Sequence, residues 1–509
     1  MKANKQTMLL IMDGFGIPTH PERSAITKQN TKYLQALCQK FPHTTLAASG
    51  PAVGLPEGQA GTSDVGHLTI GTGRVNDQPL VRVDKAISTG DFFQNKVVLQ
   101  AMKRAKQKNT TLHLLGLPTD GGVHGHIRHL FALLDMAKQQ NVPHVVLHIF
   151  ADGRDVPPQS MQTYIHAIQD KIAQVGVGTI ATVMGRFYAL DRDNNWDRLQ
   201  IAIEAMVQGK GVRCDDIDKA IMEQYAQNIT DEFLKPMICT HNEKDFIHAN
   251  DEVIIYNYRA DRERQLSKAL MHAKELHILQ QDIGCVVTTM MNYDIEQTDV
   301  HVAFEPLSTK NTLAEVLSDR GYTQLKVAET EKYAYVTFAM NAGRKEAFLN
   351  EERILIRSEK LPKYDVLPQM GAYDITKQVL QALKEKEYDV IIINFANCDM
   401  VGHSGNKQAA WEAVKVVDEC VHTLTEYMLH KHARVLITAD HGNSDEMVYE
   451  NGSPNTAHTT ALVPFILVDE DCKSCVLRKG TLADVAPTLL DCLNEEKPKE
   501  MTGASLIVH

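Results

Sequence analysis

The sequence predicts a parallel α/β protein, and three observations carry that prediction. Short apolar runs alternate with longer helical patterns along almost all of its 509 residues, as expected where strands are joined by crossover helices. Three of those runs lead to an aspartate, where a strand would deliver it to the carboxyl edge of a sheet. The length suits two ordinary domains, or one large domain with an insertion.

In the first and last parts of the chain, strands are expected at Met8–Met12, Val390–Phe395, Val435–Ala439 and Pro464–Val468. Helical spacing predicts helices near Asn30–Phe41, Thr312–Arg320, Ile375–Lys386 and Gln408–His430. Thr312 with Glu315 three residues later fits a capping box. The middle, residues 78–310, has its own alternation. Strands are expected there at Leu112–Leu115, Val145–Ile149, Ile180–Met184, Val253–Tyr258 and Cys285–Thr289. Helices are expected at His126–Gln140, Ser160–Val175, Trp196–Val207 and Asp261–Ala273. The basic stretch Gln208–Arg213 reads as solvated surface.

Composition narrows the function. An apolar fraction of 43% and a charged fraction of 23% suffice for a packed core. A net charge of −11 argues against a general nucleic-acid binder, so an anionic ligand would need a local cluster of Arg and Lys. The apolar run Met8–Met12 is too short for a secretory signal core. No stretch approaches the about 20 apolar residues that cross a bilayer. A cytoplasmic protein without membrane contact is expected. Nine scattered cysteines do not suggest a disulfide framework, and Cys472-Lys-Ser-Cys475 is expected to hold incidental reduced thiols.

The chemistry lies at the strand ends. Met8–Met12 runs into Asp13, Val435–Ala439 into Asp440, and Val390–Phe395 into a short loop bearing Asp399. Three carboxylates gathered there repel one another unless a cation lies between them. His403 follows Asp399 by four residues, His441 adjoins Asp440, and His458 precedes the Pro464 strand. Singly, such an aspartate is usually a cap or turn residue. Six together point to a binuclear site, with a donor set suited to Mn²⁺ or Zn²⁺. The glycine-rich segment Pro56–His67 presents Ser63 on a tight loop, and metal coordination would make its hydroxyl a usable nucleophile.

The middle segment supplies the basic cluster. Arg154, Arg186, Arg192, Arg259 and Arg262 all fall on loops at or near strand ends, with His124 also just past a strand. Arginines so placed grip carboxylate and phosphate bidentately, which points to a small, multiply charged substrate.

At this point the chain resembles the cofactor-independent phosphoglycerate mutase family of the alkaline phosphatase superfamily. The matching stretches include MDGFG at 12–16, PEGQAGTSDVGHLTIGTGR at 56–74, TDGGVHGH at 119–126 and DGRDVPP at 152–158. They continue with GRFYALDRDNNWDR at 185–198, YRADRERQ at 258–265, AETEKYAYVTF at 328–338, NFANCDMVGHSGN at 394–406, TADHGN at 438–443 and TAHTT at 456–460. The resemblance implies a phosphatase-like three-layer domain with a mostly parallel sheet, formed by residues 1–77 and 311–509. A second α/β domain, 78–310, would be inserted, with hinges near Asp77–Pro79 and Ser308–Asn311.

It implies two Mn²⁺ ions, one on Asp399, His403 and His458 and the other on Asp13, Ser63, Asp440 and His441. Substrate contacts would come from His124, Arg154, Asp155, Arg186, Arg192, Arg259, Arg262 and Lys332. Ser63 would take the phosphoryl group of 3-phosphoglycerate, Lys332 would neutralise it, and Asp155 would serve as acid and base. The product would be 2-phosphoglycerate, made by a monomer without bisphosphoglycerate. Ala60, Thr62, Asp64, Ala260 and Ala339–Ala342 depart from the family's usual residues. A metal-dependent phosphatase or phosphopentomutase is the alternative activity, and a metal-binding regulator without turnover the alternative class.

Overall fold

The computed structural model describes residues 5–293 and 300–508. The chain forms two compact units, one of Met1–Gln78 with Leu307–His509, the other Pro79–Pro306.

The first unit is built on an eight-stranded sheet. In spatial order its strands are Glu351–Ile356, Gln324–Glu329, Val390–Phe395, Thr7–Met12, Arg434–Thr438, Val463–Val468, His43–Ala47 and Gly480–Thr481. The first five are parallel neighbours, and Val463–Val468 runs antiparallel to both strands beside it. Thr7–Met12 and Val390–Phe395 are buried at every position. A central parallel strand is covered on both faces, which is why these read as unbroken apolar runs rather than alternating ones. Helix Lys407–His430 buries Val414, Val417, Val421, Leu424 and Met428, the three- and four-residue spacing of a single helical face. Burying each such side chain contributes roughly 1.5–3 kcal/mol.

The second unit has a separate apolar core and its own eight-stranded sheet. Its order is His301–Phe304, Val286–Met291, Glu252–Ile255, Leu112–Gly116, Val145–Ala151, Thr179–Gly185, Met237–Ile238 and Val212–Arg213. All neighbours are parallel except Thr179–Gly185 with Met237–Ile238.

The expected strands and helices are present, with ends that move by a few residues. The strand expected at Val253–Tyr258 stops at Ile255. Beyond it, the Asn257 side chain accepts from the Leu117 amide at 2.9 Å and donates to Glu263, so the chain turns to serve a polar network. The stretch Gln208–Arg213 is largely exposed, as expected, and its last two residues, Val212–Arg213, form the sheet's edge strand. Thr312 caps its helix by accepting from the Glu315 amide, but the Glu315 carboxylate reaches the Asn311 amide, one residue short of a reciprocal box. Strand His43–Ala47 escaped the sequence reading; HTTLA has no apolar run, and only Leu46 is buried. The expectation of free thiols at 472 and 475 is overturned: Cys472 and Cys475 are joined in a disulfide. The tight turn in which the Cys475 amide donates to the Cys472 carbonyl at 3.1 Å brings them together.

Candidate active site

The site of the first unit lies where its central parallel strands end. Strand Thr7–Met12 ends at Asp13, and its register with Val390–Phe395 brings Asp13 N to the Phe395 carbonyl at 3.0 Å. Asp399 is carried on a short helix, Asn397–Gly402, and not on a loop. His403 is therefore one helical turn from it on the same side, with Nε2 at 3.2 Å from Asp399 Oδ1. Two glycines permit this crowding. Gly14 has φ +75°, and a Cβ there would sit 2.7 Å from the Asp399 backbone; a Cβ at Gly66 would sit 2.6 Å from the Asp440 carbonyl.

Ser63 is the first residue of helix Ser63–Thr72, rather than a residue on an open loop. Thr62 makes no capping bond to that helix; its hydroxyl donates instead to Asp64. The helix's first N–H groups and its positive end are thus available to an anion on the serine. The Ser63 hydroxyl lies 2.7 Å from Lys332 Nζ, 2.9 Å from His441 Nε2 and 3.3 Å from Asp13 Oδ1. Lys332 comes from helix Thr330–Ala334, which continues into a π-helical turn at Tyr335–Ala339. Its ammonium also meets Asp13 Oδ1 at 2.7 Å and Asp399 Oδ2 at 2.6 Å. Burial disfavours that charge, but Asp13 and Asp399 outweigh it and hold the Lys332 pKa above its ordinary value. Burial likewise opposes ionisation of Asp399, and Lys332 overcomes it, so Asp399 stays well below the usual carboxylate range.

Asp13 goes the other way, raised by burial and then by the charge of Asp440. One lysine is too little cation for three buried carboxylates. Asp440 Oδ2, moreover, accepts no hydrogen bond, since His67 Nδ1, 3.2 Å away, is turned to the Ser63 carbonyl.

The histidines sharpen that deficit. His403 Nδ1 lies 2.8 Å from the Thr456 carbonyl and His458 Nδ1 2.8 Å from the Gly61 carbonyl. A carbonyl only accepts, so each Nδ1 carries a proton, and each ring in its neutral form is left with a bare Nε2 lone pair. Those two Nε2 atoms face each other at 3.0 Å, and His458 Nε2 is 3.0 Å from Asp399 Oδ1. Three electron-rich atoms converge on one point, and a divalent cation fits them. Asp399, His441 and His458 form one cluster with metal-ligand spacing, and Asp13, Asp440 and His441 another.

All eight residues anticipated for this part of the chain, Asp13, Ser63, Lys332, Asp399, His403, Asp440, His441 and His458, thus meet at one place. Three more belong with them and were missed. Buried His67 contacts the Ser63 carbonyl at 2.8 Å and Asp440 Oδ2 at 3.2 Å; Asn394 donates to Asp13 at 2.8 Å, and Asn443 to Asp399 at 3.1 Å. His67 was legible in principle, one helical turn past Ser63. The two asparagines lie within the matching stretches at 394–406 and 438–443, but nothing in their residue type assigns them a contact.

In the second unit the arginines cluster. Buried Arg186 pairs with Asp152 and Asp155, both at 2.6 Å, and Arg154 pairs with Glu232 at 2.6 Å. Asp261 lies 3.2 Å from Arg259 and 3.3 Å from Arg192. Arg262 is lowered from its ordinary pKa by burial, then by Arg186, Arg192 and Arg154. Guanidinium groups that destabilise one another are relieved by a nearby anion. His124 is buried beside them, its Nδ1 3.7 Å from Glu263 and 4.0 Å from Asp261. Neither Glu263 nor Asn257, which holds it, was anticipated.

Comparison with known proteins adds an independent line. Residues 83–295 match the family model described as "BPG-independent PGAM N-terminus". A 2,3-bisphosphoglycerate-independent phosphoglycerate mutase of Acetivibrio thermocellus is 46% identical over 512 residues, covering 99% of both chains. One of Clostridium beijerinckii is 46% identical over 510 residues, covering 100% of both. Among solved structures, a Leishmania mexicana phosphoglycerate mutase at low cobalt concentration aligns over 99% of this chain and 98% of its own, with TM-score 0.56 and 27% identity.

Proposed function

The chain belongs to the 2,3-bisphosphoglycerate-independent phosphoglycerate mutase family and interconverts 3-phosphoglycerate and 2-phosphoglycerate, and we propose that it does so through a phosphoserine on Ser63. The observation behind that route is the Ser63 hydroxyl at a helix N-terminus, 2.7 Å from Lys332 Nζ and 2.9 Å from His441 Nε2. Ser63 gives up its proton to Asp13, to which its hydroxyl donates, and its oxygen attacks the substrate's phosphorus in line as the bond from phosphorus to the glycerate oxygen breaks. Lys332 donates to that oxygen and offsets charge on the group in transfer, the main demand of phosphoryl transfer. The uncapped N–H groups that follow Ser63 give the phosphoryl oxygens donors. His67, anchored on the Ser63 carbonyl, keeps the first turn of the helix in place.

His124, Arg154, Arg192, Arg259 and Arg262 are assigned to the anionic and hydroxyl groups of the glycerate. Asp155, held by Arg186, protonates the departing alkoxide and then takes the proton of the accepting hydroxyl. We assign one divalent cation to Asp399, His403 and His458 and a second to Asp13, Ser63, Asp440 and His441, with Mn²⁺ as the preferred ion. Bound there, such ions lower the pKa of a coordinated hydroxyl and neutralise phosphoryl oxygens. A cytoplasmic monomer goes with this reading.

The test supplies 3-phosphoglycerate and Mn²⁺ without bisphosphoglycerate, couples product to enolase and measures free phosphate in parallel. Product without phosphate release supports the mutase. Phosphate release makes it a phosphatase, and neither signal makes it a metal binder without turnover.

A further inference from the structure

The second unit holds a thiol pair that the proposed reaction does not use. Val212–Arg213 and Met237–Ile238 are parallel neighbours, with Val212 opposite Met237 and Arg213 opposite Ile238. The register continues by one residue: the Cys214 amide donates to the Ile238 carbonyl at 3.0 Å, which sets Cys214 beside Cys239 at the sheet's edge. Their sulfurs are 3.3 Å apart and both residues are partly exposed. We propose that Cys214 and Cys239 form a dithiol site that hydroperoxides convert reversibly to an intrachain disulfide. The sulfurs need only close from 3.3 Å to about 2 Å.

The steps balance. The Cys214 thiolate attacks one oxygen of the peroxide, the O–O bond breaks, and Cys214 becomes a sulfenic acid while the hydroxide released takes up the proton the thiol had lost and leaves as water. The Cys239 sulfur then attacks the Cys214 sulfur, forming S–S and expelling the second oxygen as water. Two thiols are oxidised and one hydrogen peroxide is reduced to two waters; an added dithiol reverses the change. The contact between the two sulfurs favours Cys214 as the attacking one. The hydrogen bond from Cys239 lowers its pKa against the opposing effects of burial, Asp215 and Asp216, while the same contact and burial raise Cys239. Burial raises the pKa of Cys38, Cys285, Cys398, Cys420 and Cys492, so they are poorer competitors.

The cross-link would enclose helix Ile217–Tyr225 and the turn Asp231–Phe233, whose Glu232 holds Arg154.

The test treats the full-length protein with hydrogen peroxide, alkylates the remaining thiols and maps peptides by mass spectrometry. The expected result is a Cys214–Cys239 cross-linked peptide within single chains, lost in Cys214→Ser and Cys239→Ser and reversed by dithiothreitol. In Cys239→Ser, dimedone should label Cys214, because the sulfenic acid has lost its partner. Full alkylation of both cysteines after peroxide, faster oxidation at any other free cysteine, or linkage only between chains would overturn the proposal.

Discussion

Each unit brings two histidines to the same separation, with opposite consequences. In the second unit, His113 Nδ1 and His148 Nε2 are 3.0 Å apart and both rings are fully buried. Thr182 donates to His148 Nδ1 at 2.9 Å, His148 Nε2–H donates to His113, and His113 Nε2–H points to Asp251 at 3.3 Å. One choice of neutral tautomers satisfies every atom of that chain. In the first unit, His403 and His458 also approach at 3.0 Å, but two backbone carbonyls have already taken both Nδ1–H groups. No pair of neutral tautomers satisfies that contact. A short His–His distance says nothing by itself; what the other nitrogen touches decides between a closed polar chain and a cation site.

The largest effects should come from attacking the unsatisfied pair. Chelation is expected to abolish turnover and Mn²⁺ to restore it. His458→Ala should weaken Mn²⁺ binding by more than the about 10–100-fold that loss of a ligand's supporting partner costs, measured by titration calorimetry, while His148→Leu should leave that affinity unchanged. Next in size is Lys332→Ala, which removes the site's own cation and should lower kcat by about 10²–10³-fold in the enolase-coupled assay.

Breaking the satisfied chain should cost stability instead. His148→Leu strips His113 Nδ1 of its donor, and a buried acceptor left unpaired costs about 1–3 kcal/mol, read as a lower melting temperature with Mn²⁺ affinity retained. Burial, then His113, holds His148 well below 6.5. The unfolded chain therefore binds more protons below that pH, so the contribution of His148 is present above 6.5 and is lost as pH falls. That acid dependence should shrink in the variant.

A further effect concerns the buried carboxylate of Glu329, where Lys332 only partly offsets burial. Burial, against hydrogen bonds from Ser358 and Gly371, pushes Glu329 from 4.5 up to about 7. The folded state then holds the extra proton, so stability falls as pH rises between those values, and Glu329→Gln should flatten the slope of melting temperature over that interval.

Much of this was legible in the sequence because the signals are local. Val390–Phe395 was placed residue for residue, since a doubly covered strand is apolar throughout. Asp13, Asp399 and Asp440 stood out at the ends of such runs, and the arginines near strand ends marked the second cluster. What escaped depends on tertiary contacts. Asn394 and Asn443 look like ordinary polar residues until the fold sets them against Asp13 and Asp399. The glycines before Ser63 predict a loop there, whereas the helix begins at that residue. Cys214 and Cys239 were scattered thiols until two short strands came into register. The departures at Thr62 and Asp64 answer each other through a single hydrogen bond, and Asn341 meets buried Lys326 and Glu351.

The most direct test is to mix enzyme with Mn²⁺ and 3-phosphoglycerate, quench in acid within the turnover time, and map phosphate by peptide mass spectrometry. Phosphate on Ser63, absent from chelated enzyme and from inactive Ser63→Ala, is the predicted result. Turnover that survives in Ser63→Ala, or an active enzyme that never carries phosphate on Ser63, would contradict the account.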